Sequence, residues 1–310
     1  MRQGFLASFA TIYHLCKESK GMMKTNEINI RDPFVLPHDG KYYMYGTRVG
    51  DKDEKNPFGV QRGFDVYVSE DLENWSEAKP VFEYYDGFWG TREAWAPEVH
   101  FYQGKFYMFA SFKSDETCRG TAILVSDSPE GPFKEHSEGA VTPRDWECLD
   151  GTLYVSEEGT PYMIFCNEWV QVGDGTVCVV ELSKDLKCAV GEPRVLWKAS
   201  DVSWVVNLPG PHEKNFVTDG PYLLKVGKEL LSFWSSYGPN GYAEAIVRSD
   251  NGEITGDWIP DEGLFLSHGS GHGMVFETFD GEILFLCHSP NTHFDERPIF
   301  RKIKKEELMK

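Results

Sequence analysis

Basic side chains are scarce in this chain of 310 residues, which has 31 Lys and Arg against 49 Asp and Glu and a formal net charge of −18. Such a surface repels the phosphates of nucleic acids and the head groups of anionic membranes. We therefore expect no nucleic-acid partner and no membrane partner. A neutral small molecule such as a sugar is compatible with this charge.

The sequence also lacks a hydrophobic run long enough to span a bilayer. The first residues, from Met1 to Tyr13, resemble a short signal peptide only weakly, because they lack an A-x-A cleavage site. Residues 1–22 are interpreted as an N-terminal extension of uncertain order, and residues 23–310 as a single domain. The expected location is cytoplasmic, with secretion as the alternative.

No two cysteines have the CxxC spacing of redox and metal motifs, and the seven cysteines are odd in number. Cys166 and Cys287 each end a short apolar stretch, which is typical of buried thiols in strands. The pattern argues against a disulfide framework and favours a reducing compartment.

Convincing amphipathic helices are rare, whereas one short pattern recurs five times. Each repeat has a polar residue, a short apolar stretch, a tight turn such as Asp39-Gly40 or Gln103-Gly104-Lys105, and an aromatic-rich second stretch. These turns predict β-hairpins. Repeats of roughly 50–70 residues with several strands each indicate propeller blades. We predict an all-β protein with a five-bladed β-propeller over residues 23–310.

The innermost strand of each blade lines the central channel, so the first residues of five such strands meet at one mouth of that channel. The second strand of each blade runs antiparallel and returns to the same mouth. The expected ring at the mouth consists of Asp32, Glu98, Asp150, Asp219 and His272. The returning strand ends are expected to add Arg48, Phe112, Glu168, Trp234 and His288.

A ring of carboxylates indicates acid and base chemistry. Glycoside hydrolysis needs two carboxyl groups that flank the scissile bond, and inverting enzymes hold them about 6.5–9.5 Å apart so that a water fits between. A third carboxylate nearby raises the pKa of the acid by like-charge repulsion.

Five short motifs together resemble glycoside hydrolase family 43 over roughly residues 28–300: Arg31-Asp32-Pro33, Trp95-Ala96-Pro97-Glu98, Asp150-Gly151, Thr218-Asp219-Gly220-Pro221 and Gly271-His272-Gly273. Each motif alone is weak, but five in this order and spacing are fairly specific. The resemblance implies a five-bladed propeller and an inverting hydrolase that acts on arabinose- or xylose-containing oligosaccharides.

The resemblance also implies roles for the carboxylates. Asp32 matches the family's general base, and Asp150 matches the carboxylate that orients the acid and tunes its pKa. Asp219 departs from the pattern, because the family's general acid is usually Glu. Asp219 is the expected acid, Glu168 is the named rival, and a binding role for Asp219 stays open.

Further residues at the mouth are candidates for contact with the sugar or with an ion. We expect no required cofactor, but His272 resembles a central histidine of the family that often touches Ca²⁺ or another ion held mostly by waters. The residues expected to stack on or hydrogen-bond to the sugar are Trp95, Glu98, Arg48, Phe112, Trp169, Trp234, His288, His293 and Arg297.

Three functions remain open at this point. The main interpretation is removal of a terminal arabinofuranosyl or xylosyl unit. A related propeller that acts as a glycoside phosphorylase would need a basic phosphate site, for which Arg48, Arg297 and nearby histidines are candidates. A sugar-binding propeller without catalysis is the third, and it rests on the departure at Asp219.

Overall fold

The structure of the protein, a computed structural model, describes residues 22–49 and 62–309. Of the predicted N-terminal extension, residues 1–21 lie outside the described residues, and Met22 opens the first strand of the first blade. The six cysteines in the described ranges are free. Within the same ranges, no helix combines the length and the apolar character that a membrane crossing would need.

In the described residues, twenty-one strands form five antiparallel sheets arranged as the blades of a five-bladed β-propeller, as predicted. The first blade contains β1 (Met22–Lys24), β2 (Ile30–His38), β3 (Lys41–Arg48), β4 (Gly63–Ser69), β5 (Asn74–Ser76) and β6 (Lys79–Glu83). The second blade contains β7 (Arg92–Tyr102), β8 (Lys105–Lys113), β9 (Gly120–Ser126) and β10 (Lys134–Glu135).

The remaining blades have four, four and three strands. The third contains β11 (Cys148–Val155), β12 (Pro161–Asn167), β13 (Thr176–Leu182) and β14 (Ala189–Lys198). The fourth contains β15 (Asp219–Val226), β16 (Glu229–Gly238), β17 (Gly241–Ser249) and β18 (Trp258–Pro260). The fifth contains β19 (Gly271–Glu277), β20 (Ile283–Ser289) and β21 (Arg297–Ile303). In the part of the chain that the structure describes, the α-helices are short: α1 (Trp169–Val172) and α2 (Lys305–Leu308).

The innermost strands of the five blades are β2, β7, β11, β15 and β19. Each is joined to the strand after it by a tight turn of the kind that the sequence predicts. Between β2 and β3, Asp39 and Gly40 have φ of 47° and 75°. Both values are positive, as a type I′ turn requires, and this turn matches the right-handed twist of the paired strands. Gln103 and Gly104 repeat the arrangement between β7 and β8, with φ of 48° and 83°.

The core lies between neighbouring blades, where aromatic side chains of one sheet pack against those of the next. Phe112 of β8 lies 5.5 Å from Phe82 of β6, measured between ring centroids. Trp197 of β14 and Trp258 of β18 are 5.3 Å apart in the same measure. Because both faces of a middle strand are covered in this way, β8 has seven consecutive buried residues.

Polar contacts join the last blade to the first and close the ring. The Asn29 side chain donates to the Glu296 carbonyl at 2.7 Å, and the Ile30 amide reaches the same oxygen at 3.4 Å. Arg31 forms an ion pair with the fully buried Glu296 carboxylate at 2.7 Å. This pair lies beside the mouth of the channel, so closure of the ring and the position of Arg31 depend on the same carboxylate.

Each innermost strand carries a β-bulge near its start, where the register against its partner shifts. One residue in each bulge has a left-handed backbone with φ between 45° and 56°, and these residues are Asp32, Ala96, Asp150, Gly220 and His272. A bulge turns its side chain away from the ordinary alternation of the strand. The five bulges therefore aim five equivalent positions at one mouth.

Four of the five bulge amides donate a hydrogen bond to a side chain of the preceding blade, on the strand that follows its innermost strand. The acceptors are Thr47 Oγ1 for Ala96, Ser111 Oγ for Asp150, Ser235 Oγ for His272 and His288 Nδ1 for Asp32. A buried amide without a partner would be costly. These bonds therefore fix each bulge and couple it to its neighbour.

The bulges correct the expected ring of residues. The positions equivalent to Asp32 in the second and fourth blades are Ala96 and Gly220, and not Glu98 and Asp219. Glu98 lies two residues further along β7, and Asp219 lies one residue before its bulge. The sequence pattern hides this offset because a bulge adds a residue to one strand of the pair.

A clash with the core gives a test of the bulge in the fifth blade. We expect Gly273→Ala to lower the free energy of unfolding by roughly 1–3 kcal/mol, because a Cβ at this position would overlap the buried Phe285 ring. Urea denaturation measures the change.

Gly104→Ala is the matched control, because Gly104 has positive φ and open space around the position of a Cβ. It should cost only about 1 kcal/mol of backbone strain. Equal losses in the two variants would contradict the overlap as the cause.

Candidate active site

A cavity of about 260 Å³ opens at the mouth where the innermost strands begin. Most of its walls come from strand starts, returning strand ends and the segments that follow them. The residues that line it are Arg31, Asp32, Thr47, Trp95, Leu149, Asp150, Glu168, Trp169, Leu208, Val217, Asp219, Tyr237, Tyr242, His272 and His293.

Asp32 is held at the floor of this cavity by polar contacts on both carboxylate oxygens. Thr47 donates to Oδ2 at 2.7 Å, and His272 Nδ1 lies 3.2 Å from Oδ1. Burial alone would raise the pKa of this carboxyl, but the charges of His272 and Arg31 outweigh it and hold the pKa at about 2. Asp32 is therefore ionised at neutral pH.

His288 supports Asp32 from below as a neutral ring. Its Nδ1 accepts the Asp32 amide at 3.2 Å, and its Nε2 faces Asn291 Oδ1 at 3.1 Å. Nδ1 must be unprotonated to accept this bond, so the proton is on Nε2. Full burial is the main reason that the pKa of His288 is lowered to about 3.

His272 lies between two carboxylates and takes the opposite charge state. Its Nδ1 is 3.2 Å from Asp32 Oδ1 and 3.9 Å from Asp150 Oδ2. Burial would lower the pKa of this ring, but the surrounding carboxylates raise it to about 9. Gly220 makes room for the ring, because a Cβ there would lie 2.8 Å from two of its atoms.

Asp150 and Asp219 form a second pair of carboxyl groups with raised pKa values. Burial is the largest cause for each, and the charge of Asp150 is the next cause for Asp219. The pKa of Asp150 rises to about 6 and that of Asp219 to about 7. Asp150 Oδ2 accepts the Gly220 amide at 2.9 Å, and Tyr242 donates to Asp219 Oδ2 at 3.0 Å.

Glu168 lies on the same wall but is bound by a cation. Its carboxylate forms an ion pair with Arg119 Nη1, and the same guanidinium binds Glu93 Oε2 at 2.6 Å. Burial raises the pKa of Glu168, although Arg119 acts against this. The guanidinium also lies 4.4 Å over the Trp95 ring, so it backs this part of the cavity wall.

The cavity therefore holds carboxyl groups whose environments shift their pKa values in opposite directions. Asp32 is shifted to about 2 and Asp219 to about 7. Such a pair supplies a base that is always ionised and an acid that keeps its proton near neutral pH. This is the combination that general acid and general base catalysis requires.

Residues 26–304 match the model of a protein family described as Glycosyl hydrolases family 43. The chain belongs to glycosyl hydrolase family 43. The predicted family and the predicted five-bladed propeller are both confirmed.

Among solved structures, an endo-arabinase from Bacteroides thetaiotaomicron is 35% identical, with a TM-score of 0.84 over 92% of this chain and 97% of that chain. A thermostable family-43 glycoside hydrolase is 26% identical, with a TM-score of 0.74 over 91% of this chain and 93% of that chain. The match to these structures therefore spans nearly the whole propeller.

Two curated relatives match over shorter regions. Extracellular endo-alpha-(1->5)-L-arabinanase 1 of Bacillus subtilis is 26% identical over 47% of this chain and 45% of its own length. Xylosidase/arabinosidase 43A of Humicola insolens is 28% identical over 44% of this chain and 43% of its own length. The chain thus spans less than half the length of the curated relatives that it matches.

Seven of the predicted site residues come together in the wall of the cavity at the mouth of the channel. They are Asp32, Asp150, Asp219, Glu168, Trp95, Trp169 and His272, and the predicted rim residue His293 joins them. Most of them lie in or next to a bulge, which explains why start residues of distant repeats meet.

Phe112 and Trp234 do not reach the cavity, and their predicted contact with a sugar is corrected. Both rings are fully buried in the core between blades. The side chains that face the bulges are those of the adjacent residues, Ser111 and Ser235. A shift of one residue in a strand moves the side chain to the opposite face.

Arg48 and Arg297 are also placed away from the cavity by their partners. Arg48 binds both oxygens of Asp65 at 2.5 and 2.6 Å. Arg297 donates to the backbone carbonyls of Asn26 and Glu296 at 3.2 and 2.8 Å. These contacts hold β3 to β4 and β21 to the segment before β2, and neither arginine lines the cavity.

Glu98 and His288 lie deeper in the channel than predicted. Glu98 is buried against His100, with 3.2 Å between the carboxylate and Nε2. His288 is fully buried beneath Asp32. Neither lines the cavity, so they act on it through charge and hydrogen bonds rather than by touching a sugar.

Several residues of the site were missed by the sequence analysis. Arg31 had a signal, because it precedes Asp32 in one of the family motifs. Thr47 and Tyr242 would have been found only with the register of β3 and β17 in hand. Arg119 precedes β9 and has no sequence signal at all.

The ion expected at His272 remains a prediction. In the parts of the chain that the structure describes, no three His, Cys, Asp or Glu side chains are arranged to hold a metal. His272 Nδ1 lies 3.2 Å from Asp32 Oδ1 and 3.9 Å from Asp150 Oδ2. No step below depends on a cation.

Opposite pKa shifts predict opposite effects on stability. The raised pKa of Asp219 means that the stability it contributes is present below its unfolded pKa and is lost as pH rises through about 7. The lowered pKa of Asp32 means that its contribution is present above its unfolded pKa of about 3.9 and is lost only as pH falls through about 2.

We therefore expect Asp219→Asn to raise the melting temperature relative to wild type at pH 8 more than at pH 5. Asp32→Asn should lower it at both pH values. Asp39→Asn, in an exposed hairpin turn, is the control and should change little. A melting temperature of Asp219→Asn that falls equally at both pH values would contradict a buried-charge penalty at this position.

Proposed function

We propose that this protein is an inverting glycoside hydrolase that removes terminal arabinofuranosyl or xylosyl units from plant-type oligosaccharides by general acid and base catalysis. The observation that carries the proposal is the presence of Asp32 and Asp219, with oppositely shifted pKa values, on the walls of one cavity. Membership of family 43 supports the reaction class.

Asp32 acts as the general base. Its ionised carboxylate takes a proton from a water molecule while the water oxygen forms a bond to the anomeric carbon. The Thr47 hydroxyl and the His272 ring, at 2.7 and 3.2 Å, orient the carboxylate for this transfer.

Asp219 acts as the general acid. Its proton moves to the glycosidic oxygen as the bond from that oxygen to the anomeric carbon breaks. One proton has then moved to Asp32 and one has left Asp219, and exchange with solvent restores both groups. Asp150 keeps the pKa of Asp219 raised by like-charge repulsion.

Glu168 is the weaker candidate for the acid. Burial raises the pKa of Glu168, but its carboxylate is held in an ion pair with Arg119, whose charge acts against protonation. An acid must be protonated at working pH. We assign Glu168 and Arg119 to the wall that receives the leaving group.

The substrate class rests on the cavity and on the relatives. A volume of about 260 Å³ is slightly below the roughly 300–1,000 Å³ of drug-sized ligand pockets, which suits a single sugar unit. Relatives are named arabinanase, xylosidase and arabinosidase, which supports a pentose. Trp95 and Trp169 provide flat apolar surfaces beside the carboxylates.

An endo-acting arabinanase is the second candidate, favoured by the 35% identical endo-arabinase of Bacteroides thetaiotaomicron. A phosphorylase is less well supported, because Arg31 at the cavity is already paired with the buried Glu296. A protein that only binds sugars is not favoured by the opposite pKa shifts, which mere binding does not need.

Turnover tests the proposal directly. We expect release of monosaccharide from linear arabino-oligosaccharides or xylo-oligosaccharides, and turnover of nitrophenyl pentosides, at rates unchanged by inorganic phosphate. Asp32→Asn should lower kcat by about 10²–10⁴-fold, because water activation is lost. Asp39→Asn is the control with the same chemical change far from the cavity.

Other product patterns decide between the candidates. A mixture of short oligosaccharides would favour the endo-arabinanase, and a rate that depends on phosphate would favour the phosphorylase. Tight binding without turnover would leave only the binding protein. An Asp32→Asn variant with most of its kcat would remove Asp32 from the role of base.

The leaving group tests the identity of the acid. Protonation of the leaving oxygen matters greatly for a natural oligosaccharide and little for an activated dinitrophenyl glycoside. Asp219→Asn should therefore lose far more kcat/KM on the oligosaccharide, and Glu168→Gln should lose similar amounts on both. The reverse result would make Glu168 the acid and Asp219 a binding residue.

A further inference from the structure

We propose that Tyr242 is a positioning residue that keeps the transferable proton of Asp219 on Oδ1, the carboxyl oxygen that it does not bind. This inference rests on the proposed function of Asp219 as the general acid. It concerns a contact that the sequence analysis did not anticipate.

The Tyr242 hydroxyl is fixed by its ring. The side chain is almost fully buried, and its ring stacks on His288 with centroids 5.7 Å apart and an interplanar angle of 18°. Gly271 leaves room for it, because a Cβ at Gly271 would lie 2.7 Å from the ring. The hydroxyl therefore has one position, 3.0 Å from Asp219 Oδ2.

The direction of this hydrogen bond determines where the proton of Asp219 resides. Burial raises the pKa of Tyr242 well above its ordinary value, so the phenol keeps its own proton and donates it to Oδ2. Because Oδ2 already accepts the phenol proton in a hydrogen bond, it is disfavoured as the oxygen to which the carboxyl's own acid proton is attached. The acid proton is then on Oδ1, and Asp219 lines the cavity.

This contact has a particular value for an aspartate. Asp219 begins β15, one residue before the bulge at Gly220, and its carboxyl is one methylene closer to the backbone than that of the Glu usual in the family. The carboxyl has only two torsions with which to aim at the glycosidic oxygen. A rigid donor on Oδ2 fixes the second torsion and so aims Oδ1.

Tyr237 offers a matched control in the same cavity. It lines the wall beside Tyr242, with ring centroids 5.2 Å apart. Its hydroxyl oxygen accepts from Asn291 Nδ2 at 3.0 Å. Tyr237→Phe thus removes a hydroxyl of the same kind that is bonded to an amide and not to the acid.

The first measurement does not depend on turnover. A ¹³C NMR titration follows the Asp219 carboxyl carbon in wild type, Tyr242→Phe and Tyr237→Phe. A donor to a carboxylate lowers its pKa, so its loss should raise the midpoint in Tyr242→Phe by about half to one pH unit. An unchanged midpoint, or an equal rise in Tyr237→Phe, would overturn the proposal.

The second measurement compares the loss of kcat on a substrate with a poor leaving group and on one with an activated leaving group. We call a much larger loss on the poor leaving group a split. Tyr242→Phe should lose at least tenfold in kcat on an arabino- or xylo-oligosaccharide and at most about twofold on a dinitrophenyl pentoside, with a melting temperature near that of wild type. Tyr237→Phe should show no such split. A uniform loss in Tyr242→Phe would show that the hydroxyl does not act through the acid.

The Asp219→Asn variant separates the two levels of inference. If it shows the split and Tyr242→Phe does not, the positioning role is wrong and the general acid stands. If Asp219→Asn does not show the split, the assignment of Asp219 as the general acid is wrong. The role of Tyr242 in placing its proton is then wrong as well. A raised NMR midpoint in Tyr242→Phe, together with the leaving-group split in both Asp219→Asn and Tyr242→Phe, supports Asp219 as the acid and Tyr242 as its positioning residue.

Discussion

The left-handed bulge at the start of each innermost strand is the constraint on which the site depends. An ordinary strand alternates its side chains between two faces, and no run of ordinary strands would aim equivalent residues along the channel. The bulges at Asp32, Asp150 and His272 do so, and each is tied to the preceding blade by a hydrogen bond to its amide. Non-glycine residues in this conformation are strained by about 1–3 kcal/mol each, which the packed blades around them must offset.

The charges of the buried carboxyl groups and histidines explain why these residue types occur together at the bulges. Three carboxyl groups in one buried space would repel one another, and His272 lies between two of them as a cation. His288, beneath Asp32, stays neutral mainly because it is fully buried, and its unprotonated Nδ1 accepts the Asp32 amide. The two histidines thus have opposite charge states, because several carboxylates surround His272, whereas His288 has Asp32 on one side and the cations of Arg31 and His272 nearby. The small residue at the fourth bulge, Gly220, leaves the space that the His272 ring occupies.

The same arrangement links function to stability. Asp219 and the buried Glu244 beneath the bulges both have raised pKa values, so ionising either one weakens the folded state. Family 43 chemistry needs an acid that holds its proton, and burial supplies that property at a cost in stability. The ion pair of Arg31 with Glu296 meets the opposite need, because it places a cation beside Asp32 and joins the fifth blade to the first.

Much of this could be predicted from the sequence because hairpin turns and apolar alternation are local. Asp39-Gly40 and Gln103-Gly104 form the expected turns, and five repeats correctly predicted five blades and placed Asp32, Asp150 and His272 at one mouth. The family motifs are equally local, which is why the resemblance could be stated before any coordinates. What only the tertiary structure decided is which neighbour of each motif faces the cavity. Phe112 and Trp234 differ from the inward-facing Ser111 and Ser235 by one position, and that choice depends on bulges and on pairing with distant strands. Arg119 precedes β9 of the second blade and reaches Glu168 of the third blade only through the packing of these blades, whereas Tyr242 reaches Asp219 across β16 within the fourth blade.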